Sequence, residues 1–130
     1  MQTILKNRFC ELAEEILEID SCVIAAGFTD EKGEGVCLRM SNSLSIERQE
    51  ELSSRLRKNS FGPALITSIL NHGEQIFGKT EYFVASYGKV KMLLMPFKHK
   101  GVIALLLLTP NTDSRSIALQ VKELLCKDER

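Results

Sequence analysis

With 130 residues and 44% hydrophobic content, the chain is long enough to bury one sizeable core, and a single domain spanning 1–130 is expected. Seventeen basic residues balance seventeen acidic ones, so the basic excess typical of nucleic-acid binders is missing, and broad electrostatic binding to DNA, RNA or anionic membrane is disfavoured. The longest apolar run, VIALLLL, falls far short of the ~20 residues that a membrane-spanning helix needs, so no span is expected.

Taken in chain order, Leu5, Phe9, Leu12, Ile16 and Ile19 recur at spacings of four, three, four and three, while Glu11, Glu14, Glu15 and Glu18 fill the other side. This spacing predicts an amphipathic helix that ends near Asp20-Ser21. Met1 to Lys6 runs straight into it, so no signal peptide is expected. Cys22 to Phe28 is a short β-rich run, and Asp30-Glu31-Lys32-Gly33 has the composition of a hairpin turn. A second strand follows, with Val36, Leu38 and Met40 on one face and Cys37 and Arg39 on the other. Its alternation places it near a sheet edge.

Ser45 is the expected N-cap of the next helix, with Glu47 in its first turn. The apolar positions predict a two-part helix over Ser45 to His72, interrupted at Gly62-Pro63 because an interior proline removes a hydrogen bond. Asn71-His72-Gly73 closes it, and Gly73 to Lys79 is expected as a connection with Ile76 and Phe77 turned inward.

Glu81 to Thr109 carries three apolar runs separated by turns at Tyr87-Gly88-Lys89 and Lys98-His99-Lys100-Gly101, the pattern of an antiparallel meander. The first run, Glu81 to Tyr87, is the most polar and is expected at an edge. Pro96 suits a strand terminus or bulge. Val102 to Leu108 has no polar residue, so it is expected to be central and covered on both faces. Pro110 to Asp113 stops the sheet and caps a last helix whose buried stripe is Ile117, Val121, Leu124 and Leu125. The predicted class is α+β in the order helix, two strands, helix, three strands, helix, with a five-stranded antiparallel sheet and helices on both faces.

No catalytic, cofactor or metal site is expected. His72 and His99 read as a helix-end residue and a basic-turn residue. Cys10, Cys22, Cys37 and Cys126 form no CxxC pair and sit in apolar surroundings, which predicts reduced, buried thiols in a cytoplasmic protein. Gly27, Gly33 and Gly35 make neither GxGxxG nor a phosphate-binding loop with lysine, so the chain is not expected to be a GTPase itself.

VIAAGFTDEKGEGV at 23–36, YFVASYGKVKMLLMPF at 82–97, the apolar last strand and the terminal helix together resemble the Roadblock domain family, which includes the dynein light-chain roadblock and MglB-type proteins and is related to longin and profilin-like domains. The likeness runs from Leu5 to Leu125 and carries no invariant signature residue. Gly62-Pro63 departs from the uninterrupted long helix usual in the family. The resemblance implies a non-enzymatic scaffold or regulator, including a GTPase-activating partner, of a small Ras-like GTPase. It also implies a homodimer formed through the strand at 81–87 and the long helix. On that basis Leu52, Leu56, Tyr82, Val84 and Ser86 are expected at the dimer interface, and Arg48, Arg55 and Lys58 are candidates for GTPase contact. The alternative is a small-molecule sensor of profilin- or PAS-like architecture, which needs a cavity with convergent polar groups. A cysteine-dependent enzyme is a weaker third reading.

Overall fold

The computed structural model describes residues 3–31, 35–42, 45–58 and 73–128, with the side chains at 3–5, 52, 53 and 55–58 outside that description. Its elements are α1 (Thr3–Leu17), β1 (Val23–Asp30), β2 (Gly35–Met40), α2 (Ile46–Lys58), a short helical stretch over 73–77 (α3), β3 (Phe83–Ser86), β4 (Lys91–Phe97), β5 (Val102–Leu108) and α4 (Ser114–Lys127). The strands form one antiparallel sheet in the order β2-β1-β5-β4-β3, with β5 at its centre as its composition required.

All seven residues of β5 are buried, and they alternate between two apolar clusters. Ala104, Leu106 and Leu108 point to one face with Leu93, Phe28, and the stripes Phe9, Leu12, Ile16 of α1 and Ile117, Val121, Leu125 of α4. Ile103, Leu105 and Leu107 point to the other, with Met92, Leu94 and Ala25. α1 and α4 cover the first face, and α2 meets the sheet at β2. Each fully buried aliphatic side chain contributes on the order of 1.5–3 kcal/mol relative to exposure, so these stripes carry the fold.

The helix starts follow their caps. Ser45 Oγ accepts from the Arg48 amide at 3.2 Å, and Asp113 Oδ1 accepts from the Arg115 amide at 3.2 Å. Gly101 closes the turn after β4 at φ 69°, a conformation that disfavours any side chain. Gly27 is required for a different reason: a Cβ there would stand 2.6 Å from the Cys37 carbonyl oxygen on β2.

Several expectations are corrected. Gly78, at φ 91° with its amide bonded to the Glu74 carbonyl at 3.1 Å, closes α3, and Gly73 lies inside that helical stretch. Ile76 and Phe77 are 67% and 86% exposed, while the Glu74 side chain of the same stretch is largely buried and pairs with Lys98. The interruption at Gly62-Pro63 and the end of the two-part helix at His72 lie outside the described residues, as does the turn at 32–34.

Val36 does not share a face with Leu38 and Met40. Phe28 pairs with Cys37 and Thr29 with Gly35, so Val36 is an extra residue in a bulge and turns into the α1-side cluster. The cysteines are not all reduced and buried: Cys10 of α1 and Cys37 of β2, with Cα atoms 5.5 Å apart, form a disulfide, and Cys126 is exposed. Their positions in different elements hid a pairing that only the crossing of α1 over β2 creates.

Candidate interaction surface

The first meander strand is the outermost strand on its side, as expected, but it is four residues long instead of seven. The register explains both its length and its open side. The Tyr87 amide donates to the Val90 carbonyl at 2.8 Å, making 87 and 90 a hydrogen-bonded pair. Since Val84 pairs with Leu93 and Ser86 with Lys91, alternation makes Ala85–Met92 and Phe83–Leu94 the next hydrogen-bonded pairs. The next one would join residue 81 to Pro96, which has no amide hydrogen to donate, so the strand begins at Phe83.

The same alternation turns the backbone N–H and C=O groups of Val84 and Ser86 away from β4, toward the open edge. Among the described residues no further strand pairs there. Side chains on this edge divide by face. Tyr82 and Val84 are half-buried against the α1-side cluster and Ala85 against the opposite one, while Phe83 and Tyr87 are 39% and 54% exposed and Ser86 is exposed. Two of the three candidate contact side chains on this strand therefore point into the protomer's own core, and what they offer outward is backbone. Phe83 and Tyr87 are the exposed aromatics of this edge; the signal for them was the aromatic content of the run itself.

On α2, Arg48 is exposed and pairs with Glu51 at 3.5 Å one turn along the same face. The backbone of Leu52, Arg55, Leu56 and Lys58 continues that helix, and their side chains lie outside the description. The structure thus brings Tyr82, Val84 and Ser86 together on one edge and sets Arg48 on a separate helix.

The remaining candidate chemistry is structural where it is described. His99 is exposed and stacks edge-on to Phe97 at a centroid distance of 6.2 Å. Met92 and Met95 are 4% and 3% exposed and belong to the core, as read from the sequence. Burial pushes the Cys22 thiol pKa up, which disfavours the thiolate that a nucleophile needs. Among the described residues no polar or charged residue is buried as a whole, and the two charged side chains that are nearly buried, Lys100 and Asp128 at 6% and 5% exposure, pair with each other at the end of α4. At the far end of α4, Asp128 accepts from Arg8 at 2.8 Å and from Lys100 at 3.3 Å, tying α1 and the β4–β5 turn to the helix end. Burial alone would push the Asp128 pKa up, but the hydrogen bonds and charges of Arg8 and Lys100 outweigh it and hold the pKa below the ordinary value.

No family model matches the chain, and no curated protein matches it. Solved structures do. MglB of Myxococcus xanthus superposes with a TM-score of 0.66 at 9% identity, over 98% of this chain and 91% of that one. A Roadblock/LC7 domain from Streptomyces avermitilis does so with a TM-score of 0.61 at 10% identity, over 91% of this chain and 92% of that one. MglB in a tetrameric arrangement gives 0.58 at 11% identity, over 98% and 94%. The chain has the Roadblock/LC7 fold.

Proposed function

We propose that this protein is a non-enzymatic, homodimeric scaffold or regulator of a small Ras-like GTPase, built on β3 and the long helix. The observation that carries the reading is the open edge of β3. Val84 and Ser86 direct backbone groups outward that have no partner among the described residues, beside the exposed rings of Phe83 and Tyr87, with no lysine or proline on the strand to guard it. An edge of this kind is left for pairing. In a two-fold dimer the same strand meets itself, so the sheet continues from one protomer into the other. Leu52 and Leu56 on α2, with Tyr82, Val84 and Ser86, are the contacts assigned to it. A fold shared with MglB in a tetrameric arrangement supports association between copies.

The GTPase partner follows from the Roadblock fold, with Arg48, Arg55 and Lys58 of α2 as its contact residues. The test is direct titration of nucleotide-loaded small Ras-like GTPases into the purified protein. Binding that drops about tenfold or more when Arg48, Arg55 and Lys58 are all reversed to glutamate supports the assignment; binding to none of a broad panel removes the GTPase partner. Hydrolysis measured in the same titration separates an activator from a scaffold. The reading places the protein in the cytoplasm, where disulfides are uncommon. Fractionation of intact cells tests that placement: recovery with cytoplasmic markers agrees with it, and recovery in an extracytoplasmic fraction contradicts it.

A further inference from the structure

Among the described residues no strand pairs with the outer side of β2 either, and a cleft runs along that edge. Its volume is about 1210 Å³, above the roughly 300–1,000 Å³ of a small-molecule site. The floor is the outer side of β2 from Leu38 to Met40 with Ser41 beyond it, one wall is Glu14 and Leu17 of α1 with Glu18 in the turn that follows, and the other is α2 at Gln49, Glu50 and Ser54. A strand's edge flanked by a helix on each side is the shape of a slot for one more strand.

Backbone directions agree. The Ser41 amide donates to the Ile24 carbonyl at 2.8 Å, so Ser41 and Arg39 face β1, and Leu38 and Met40 turn their N–H and C=O groups into the cleft. The Arg39 guanidinium confirms the direction, since it donates to the Leu38 carbonyl oxygen at 3.2 Å while also pairing with Glu14 at 3.4 Å. That side chain is 44% exposed and occupies one outward acceptor; the two outward groups of Met40 and the Leu38 amide have no hydrogen-bond partner among the described residues.

The walls are acidic. Arg39 offsets Glu14, which leaves Glu18 in the turn after α1 on one wall and Glu50 of α2 on the other, both exposed. A second copy docking through the same edge would set these carboxylates against their own mates, which disfavours β2-to-β2 pairing. A nucleic-acid backbone is repelled for the same reason. Successive side chains of an incoming strand point to opposite faces, so two adjacent basic residues reach Glu18 and Glu50 at once.

We propose that the cleft between α1 and α2 takes an extended protein segment with adjacent basic residues, which adds to β2 as a sixth strand. Main-chain hydrogen bonds to Leu38 and Met40 hold it, and Glu18 and Glu50 select its charge. Neither contact uses β3, so the inference stands or falls apart from the dimer.

The test is selection of short random peptides displayed against the full-length protein, followed by binding measurements on the enriched sequences. The expected result is enrichment of β-branched peptides with adjacent lysine or arginine. Binding should slow amide exchange at Leu38 and Met40, fall about tenfold in the Glu18→Lys/Glu50→Lys variant, and be lost when alternate backbone amides of the peptide are methylated. Both substituted residues are exposed, so the variant's unchanged thermal melt serves as the folding control. No enriched peptide, protection at Val84 and Ser86 instead, or binding indifferent to the charge reversal or to amide methylation would each overturn the proposal.

Discussion

Gly27 shows how much one missing methyl group decides. Its Cα approaches β2 so closely that an alanine Cβ would meet the Cys37 oxygen at 2.6 Å and Leu38 Cα at 3.2 Å, both backbone atoms that cannot swing aside. Gly27→Ala is expected to push β2 away from β1 and lower stability by about 1–3 kcal/mol, read as a fall in denaturation midpoint; an unchanged midpoint would refute the close approach. Asp128 acts at the same scale. Its depressed pKa means that the folded state favours the carboxylate, so its contribution is present above the ordinary carboxylate pKa of about 3.9 and fades as pH falls through the lower folded value. Asp128→Asn is expected to cost about 2 kcal/mol at neutral pH and to flatten the loss of stability below about pH 4. Equal acid slopes in the two proteins would show that the Arg8 and Lys100 contacts do not hold the charge.

Elements differ in how far their sequence specifies them. β5 was legible as the central strand because an unbroken apolar run has only one place in a sheet covered on both faces. α1, α4 and the caps at Ser45 and Asp113 were legible for local reasons, namely a 3.6-residue stripe and an oxygen placed before it. What stayed hidden was non-local. Val36 changes face because of one extra residue in a ladder, β3 loses its first residues because Pro96 faces them from the next strand, and Cys10 meets Cys37 only where α1 crosses β2. The candidate interface was half legible. Tyr82, Val84 and Ser86 lie along the outermost strand, yet what Val84 and Ser86 offer there is outward backbone, which depends on a register that the sequence alone does not set. The Cys10–Cys37 link closes a loop with a separation of 27 residues, for which the chain-entropy picture gives about 3.5 kcal/mol. A Cys37→Ser variant, or the native protein under reductant, is expected to melt earlier by a corresponding amount; identical melts with and without reductant would show that the link adds nothing.

At the scale of the whole molecule, the sheet of the described residues presents two open edges of different character. The β3 edge carries exposed aromatic rings and no charge on its strand, which suits pairing with itself. The β2 edge is walled by Glu18 and Glu50, which suits a basic segment and resists its own copy. A dimer joined at β3 would hold the two β2 clefts at opposite ends of one continuous ten-stranded sheet, twice the five strands of each protomer. The central claim is that β3 is the dimer contact, and a proline at 86 tests it most directly. The Ser86 amide faces the open edge and takes no part in the ladder with β4, so Ser86→Pro removes only what a second copy would use. Sedimentation equilibrium at micromolar concentrations is expected to give about twice the 14.6 kDa protomer mass for the native protein and the protomer mass for a folded Ser86→Pro variant. A native protein that sediments as a monomer, or a variant that remains a dimer, would contradict the account.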